Sequence, residues 1–300
     1  MTPRPGLLGA TLLSLTLLAS ACGSASAEGD AAADPDRPSV VASTNVYGDI
    51  VRQIAGDRVT VTSIISDPSA DPHSYEANTR TQLALADADV VVENGGGYDD
   101  FVDTMLTSAN TDATVLNAVE ISGKSGEELN EHVWYDLPSM ATLTDRLVTA
   151  LSAADPGGAA TFSTNAAAFK QKLDGLAHTA TEIKAAHTGA GVAITEPVPL
   201  YLLEACGLVD KTPEAFSEAI EEGTDVPATV LQETLALFTG KQVKMLAYNE
   251  QTTGPETEKV LAAARDNQVG VVPVTETLPA GKDYVAWMSG NLDAIRSALG

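Results

Sequence analysis

From Ser39 onward, short runs of β-branched residues alternate with longer stretches patterned for helices, and few folds accept that rhythm. Successive strand, helix and strand require a crossover each time, so the rhythm specifies an α/β fold with mainly parallel sheets. In the first half the strand candidates are residues 39–43, 59–65, 89–93 and 114–117. Helical patterns at 47–55, 79–86 and 99–108 separate them, and Pro138 opens another helix that runs to about 153. Asp155-Pro156-Gly157-Gly158 then breaks the chain. An unbroken helical stretch follows over 159–187, with Phe162, Phe169, Leu173, Leu176 and Ile183 at helical spacing. At 1.5 Å per residue it would run roughly 40 Å. After Thr188-Gly189-Ala190-Gly191 the rhythm resumes, with strands at 192–195, 244–248 and 269–274. The helices of this part are expected near 198–206, 212–222, 226–239, 255–266 and 283–299. The expected architecture is two α/β lobes, 39–154 and 190–300, joined by one long helix within 155–189.

The ends of this pattern point to export. Arg4 is the only charge before a small and apolar run over 7–21, too short for a permanent membrane span but suited to a signal-peptide core. Leu18-Ala19-Ser20-Ala21-Cys22 places small residues before the one early cysteine, as a lipoprotein signal requires, although Ala19 stands where Leu is usual. The expectation is a signal peptide over 1–22, with lipid on Cys22. An ordinary secretory signal cut after Ala25-Ser26-Ala27 is the alternative. Residues 23–38 are rich in Ala, Ser, Asp and Pro, a composition that cannot bury a core, and are expected to tether lipid to domain. Cys206 is the only later cysteine, so the domain has no internal disulfide; packing as a core thiol is its expected state. Acidic residues outnumber basic ones 41 to 17 with no Lys/Arg cluster, which argues against nucleic acid and against docking on anionic lipid.

Ligands of parallel α/β sheets bind beyond the carboxyl ends of the strands. Strand 59–65 leads into Ser66-Asp67-Pro68-Ser69-Ala70-Asp71-Pro72-His73-Ser74-Tyr75-Glu76. Strand 192–195 is followed at once by Glu196, strand 244–248 by Asn249-Glu250, and strand 269–274 by Thr275-Glu276. His132 sits in Asn130-Glu131-His132-Val133-Trp134, just before the helix that Pro138 opens. His178 and His187, on the long helix, read as surface residues. Two imidazoles and two carboxylates gathered this way suit Mn, Fe or Zn.

These segments resemble the metal-binding substrate-binding lipoproteins of bacterial zinc and manganese ABC importers. Asp71-Pro72-His73-Ser74-Tyr75-Glu76 looks like that family's first-ligand loop, and Glu131-His132-Val133-Trp134 is similar to its second. Ile194-Thr195-Glu196-Pro197-Val198-Pro199-Leu200-Tyr201 resembles the third-ligand segment, where members carry His or Glu. Val274-Thr275-Glu276, with Tyr284, Trp287-Met288 and Asn291-Leu292 beyond it, looks like the last, although the family usually has Asp where this chain has Glu276. The resemblance covers about 40–299. It implies metal ligands His73, His132, Glu196 and Glu276, with Glu250 supporting them, and a linking helix that is rigid. The implied cargo is zinc or manganese, with ferrous iron a third candidate, and no catalytic residue or resident cofactor is expected. The implied partners are an ABC permease and its ATPase, and the implied setting is a monomer held by lipid on the outer face of the cell membrane. Residues 94–130 contain no His, so the His-rich loop of zinc specialists is missing. Two readings compete: a metal-dependent hydrolase with Glu250 as base, and a lipoprotein that binds a metal chelate.

Overall fold

The computed structural model describes residues 37–68, 75–76, 78–109, 111–126 and 129–300. Cys22, the expected signal peptide, tether residues 23–36 and His73 lie outside the described residues. Eight strands form two four-stranded sheets, every pairing parallel. The first holds β1 (Ser39–Thr44), β2 (Thr60–Ile65), β3 (Val90–Glu93) and β4 (Thr114–Asn117) in the order β2-β1-β3-β4. The second holds β5 (Gly191–Ile194), β6 (Val209–Asp210), β7 (Met245–Asn249) and β8 (Gly270–Val274) in the order β6-β5-β7-β8. The chain thus repeats one winding twice. In each sheet the first and third strands lie side by side at the point where the winding reverses, and ligands of such sheets gather at their carboxyl ends. Seven of these strands are those expected from the sequence. The eighth, β6, is two residues long, too short for alternation or a β-branched run to announce it.

Burial follows position in the sheet. All four residues of β3 and all five of β7 are buried, as inner parallel strands must be when helices cover both faces. The edge strand β2 buries only Ile65 fully. Helices α1 (Asn45–Ala55), α2 (Thr79–Ala86), α3 (Phe101–Ala109), α4 (Ala118–Ser122) and α5 (Leu137–Ala154) accompany the first sheet. Asp136 caps α5, its carboxylate accepting the Ser139 N–H at 3.1 Å, and Pro138 occupies the first turn, where no N–H is needed.

The long helix α6 spans Ala159–His187 as expected. Its buried residues are Phe162, Ala166, Phe169, Leu173, Leu176, Ala180 and Ile183, separated alternately by four and three residues, which makes one straight apolar stripe. Beyond it come α7 (Leu200–Ala205), α8 (Glu214–Glu221), α9 (Ala228–Thr239), α10 (Pro255–Asp266) and α11 (Tyr284–Leu299). The stripe of α6 joins one buried cluster that runs from Val40, Ile50 and Leu143 of the first half to Ile194, Met245, Trp287 and Leu292 of the second. The two sheets therefore share a core. Cys206 is buried, and burial pushes its thiol up to about 12, leaving it a packed thiol rather than a nucleophile. Among the described residues, no helix is long and apolar enough to cross a membrane.

Candidate metal site

Strand ends from both sheets deliver the polar groups that meet between them. Glu196 follows β5 by two residues, Asn249 ends β7, and Glu276 follows β8 by two; all three are buried. The Asn249 amide stands between the two carboxylates, donating to Glu196 Oε2 and, at 2.9 Å, to Glu276 Oε1. Buried carboxylates side by side repel, and the shared amide gives each of them one hydrogen bond. The Asn249 backbone N–H is itself held by Thr195 Oγ1 at 2.9 Å. Gln251 fixes the next loop, its carbonyl oxygen accepting the backbone N–H groups of Glu276 and Thr277.

The first half supplies His132, fully buried on the loop before a short 3-10 turn over Val133–Tyr135. Its ring orientation can be read from its neighbour. Asn130 donates its amide to Pro197 O at 2.9 Å, so its carbonyl oxygen faces His132. That oxygen accepts the His132 backbone N–H at 3.0 Å and contacts ring Nδ1 at 2.7 Å. An oxygen of this kind only accepts, which assigns a proton to Nδ1 and makes Nε2 the nitrogen that offers an electron pair whenever the ring is neutral. Ligating histidines are commonly fixed in this way. Nε2 points at carboxylates, 4.0 Å from Glu276 Oε2 and 3.6 Å from Glu221 Oε1.

Tyr98 closes another side. Its hydroxyl donates to Glu276 Oε2 at 3.3 Å, and its ring packs on Trp134 and His132, with centroids 4.8 and 5.9 Å away. Burial, and then the charge of Glu276, push the Tyr98 phenol well above its ordinary value, so it remains a donor. Three glycines with left-handed backbone, Gly95, Gly96 and Gly97, make the turn that carries Tyr98 inward. The Asp99 carboxylate grips that turn through the N–H groups of Asn94 and Gly95 at 2.7 and 2.8 Å.

Of the four expected ligands, the structure places His132 4.0 Å from Glu276 and links Glu276 to Glu196 through the Asn249 amide, while the donor atoms that fall within 4.8 Å of one another are those of Glu131, His132 and Glu221. The fourth, His73, lies outside the described residues, but Pro68, shortly before it, is tied to the far half: its carbonyl accepts from Thr277 Oγ1 at 3.1 Å and from Gln251 Nε2 at 3.2 Å. Glu250 is exposed, and the amide that bears on the carboxylates is that of its neighbour Asn249. Tyr98, Asn130, Asn249 and Glu221 were not among the site residues drawn from the sequence. The signal for Asn249 was present, in the Asn249-Glu250 pair that ends a strand. Those for Tyr98 and Glu221 depend on tertiary placement.

Residues 40–298 match the family described as ZnuA, zinc-uptake complex component A, periplasmic. The chain belongs to this family. Among curated members it is 28% identical over 172 residues to the manganese-binding lipoprotein MntA of Halalkalibacterium halodurans, a match covering 55% of each chain. The matched stretch thus spans about half the length of that relative. It is 25% identical to the iron ABC transporter substrate-binding lipoprotein MtsA of Streptococcus pyogenes, across 100% of this chain and 99% of that one. The solved structure of the periplasmic zinc-binding protein TroA from Treponema pallidum superimposes with a TM-score of 0.75 at 21% identity, covering 88% of this chain and 99% of that one. The shared ZnuA-family fold agrees with two parallel sheets flanking a long helix.

Proposed function

We propose that this protein is the extracytoplasmic receptor of a metal importer of the ABC class. It captures one divalent transition metal, zinc or manganese, as cargo between its two halves and passes it to a membrane permease driven by an ATPase. The observation that carries this reading is buried His132 of one half facing Glu276 of the other, which shares the Asn249 amide with Glu196, in a chain of the zinc-uptake family. His73 completes the set from the loop beyond β2. The names of the relatives, which bind manganese, iron or zinc, support a cargo from this group. A neutral imidazole and two anionic carboxylates neutralise a divalent ion, and acid, by protonating the histidines, ejects it. Burial of all three described ligands favours carriage over catalysis, because a catalytic metal keeps a position open for water. The chain acts as a monomer with its amino-terminal segment as a leash, lipid-anchored through Cys22 at the outer face of the membrane.

Equilibrium dialysis of metal-stripped protein against Mn(II) or Zn(II), followed by elemental analysis, tests this reading. Wild type should retain one ion per chain, and His132→Ala and Glu276→Ala none, while His187→Ala behaves as wild type. Retention by His132→Ala equal to wild type overturns it.

A further inference from the structure

The residues of α1 that are not buried are Asn45, Asp49, Arg52 and Gln53. Asn45, Asp49 and Gln53 follow one another at intervals of four and so share one face of the helix. A polar face is ordinarily left to water, yet this one is half-buried and its first two residues bond to the other half of the molecule. Asn45 Oδ1 accepts the Leu278 backbone N–H at 2.8 Å, and its Nδ2 donates to Leu278 O at 3.0 Å. One turn on, Asp49 Oδ2 accepts the Tyr284 backbone N–H at 2.8 Å, braced by Gln53 Nε2 at 2.7 Å. A carboxamide has the separate donor and acceptor that the pairing with Leu278 needs, whereas a carboxylate only accepts.

Leu278 stands two residues beyond Glu276. The residues on either side of Glu276 are held by the first half as well. Tyr135 donates its hydroxyl to Thr275 O at 2.8 Å, and Thr277 Oγ1 donates to Pro68 O at 3.1 Å. At the far end of the segment the Tyr284 hydroxyl donates to Trp134 O at 2.6 Å. Trp134 and Tyr135 follow His132 by two and three residues. Glu276 thus hangs from the second sheet by β8 but is fixed, before and after, on the half that carries His132.

We propose that Asn45 is a positioning residue for the metal: by pairing with Leu278 it registers the Glu276 carboxylate of one half against His132 of the other. The inference rests on the transport reading above, in which both are ligands, and adds to it a residue that sets their spacing. Metal–donor distances are held to about 0.2 Å, so a segment slackened by more than that loses affinity. Asn45 acts through the Leu278 backbone, and its contribution is geometry rather than charge.

The test is Mn(II) affinity by competition against a fluorescent chelator, with urea unfolding of the metal-free proteins alongside. The proteins are wild type, Asn45→Ala, Asn45→Asp and Asn165→Ala. Both Asn45 variants should weaken manganese about tenfold or more, the scale of losing a residue that orients ligands. The aspartate keeps the side chain's shape, and an acid suits the first turn of α1, so that variant should fold. Its added negative charge would by itself attract the cation, so a loss of affinity reports geometry. Asn165 makes a comparable bond elsewhere on α1, its Nδ2 donating to Ile54 O at 3.0 Å from α6. Asn165→Ala should lower the urea midpoint and leave manganese affinity unchanged. Unchanged affinity in Asn45→Ala, unchanged or tighter binding in Asn45→Asp, or an equal loss in Asn165→Ala overturns the inference. In any of those outcomes the transport reading survives if wild type binds. Failure of wild type to bind the metal removes that reading, and the inference with it.

Discussion

Asn249 uses one amide to bridge two buried carboxylates, Glu196 and Glu276, and so bears on both halves of the proposed ligand pair. Asn249→Ala removes the only described donor shared by Glu196 and Glu276. Metal affinity should drop about 10- to 100-fold, as for other residues that orient ligands. Isothermal titration against wild type measures this, and an unchanged dissociation constant would show that the carboxylates need no such support. The sequence pointed to this dipeptide through Glu250, which is exposed, whereas the Asn249 amide reaches the carboxylates. Neighbouring residues at a strand end face opposite sides, so a one-residue step decides between the site and solvent. Glu196 and Glu276 were easier to find because each follows a strand end, and His132 because it sits just before the helix that Pro138 opens. Glu221 was not: in Glu214–Glu221 it is one of several acidic residues on a short helix, and only tertiary folding brings that helix end to His132.

At the scale of elements, the periodicities of apolar residues located all the inner strands and the full length of α6, because those segments bury enough surface to impose a pattern. The two-residue β6 and five-residue α4 escaped, being set by what they join rather than by a pattern of their own. The glycine turn after β3 shows an element whose sequence was plain and whose purpose was not. Gly95 has φ +76°, and a Cβ there would stand 2.2 Å from the Asn117 amide. Gly95→Ala should therefore cost at least about 1–2 kcal/mol for the left-handed backbone, and more for the displaced Asn117. Tyr98, three residues on, would lose its approach to Glu276. Urea denaturation should show the lowered midpoint; a midpoint equal to wild type would mean that the turn is not constrained as described.

Across the whole molecule, the two halves repeat one strand order and present their switch points to a common crevice. They are also bound to each other. Asn45 exchanges two hydrogen bonds with the backbone of Leu278, at 3.0 and 2.8 Å. The Tyr284 hydroxyl donates to Trp134 O at 2.6 Å, and that of Tyr135 to Thr275 O at 2.8 Å. With the shared core along α6, these ties favour loading by small shifts of loops over a wide clamshell. The sequence anticipated two lobes and a long helix; it could not show that one core runs through both, because contacts between distant segments leave no local period. The proposed function puts one transition metal between these halves, on His132, Glu196, Glu276 and His73. Anomalous diffraction from crystals grown with manganese tests it most directly. One dominant peak is expected about 2.0–2.3 Å from His132 Nε2, bridged to the carboxylates of the second half. A peak confined to surface carboxylates, with the space between His132 and Glu276 empty, would contradict it.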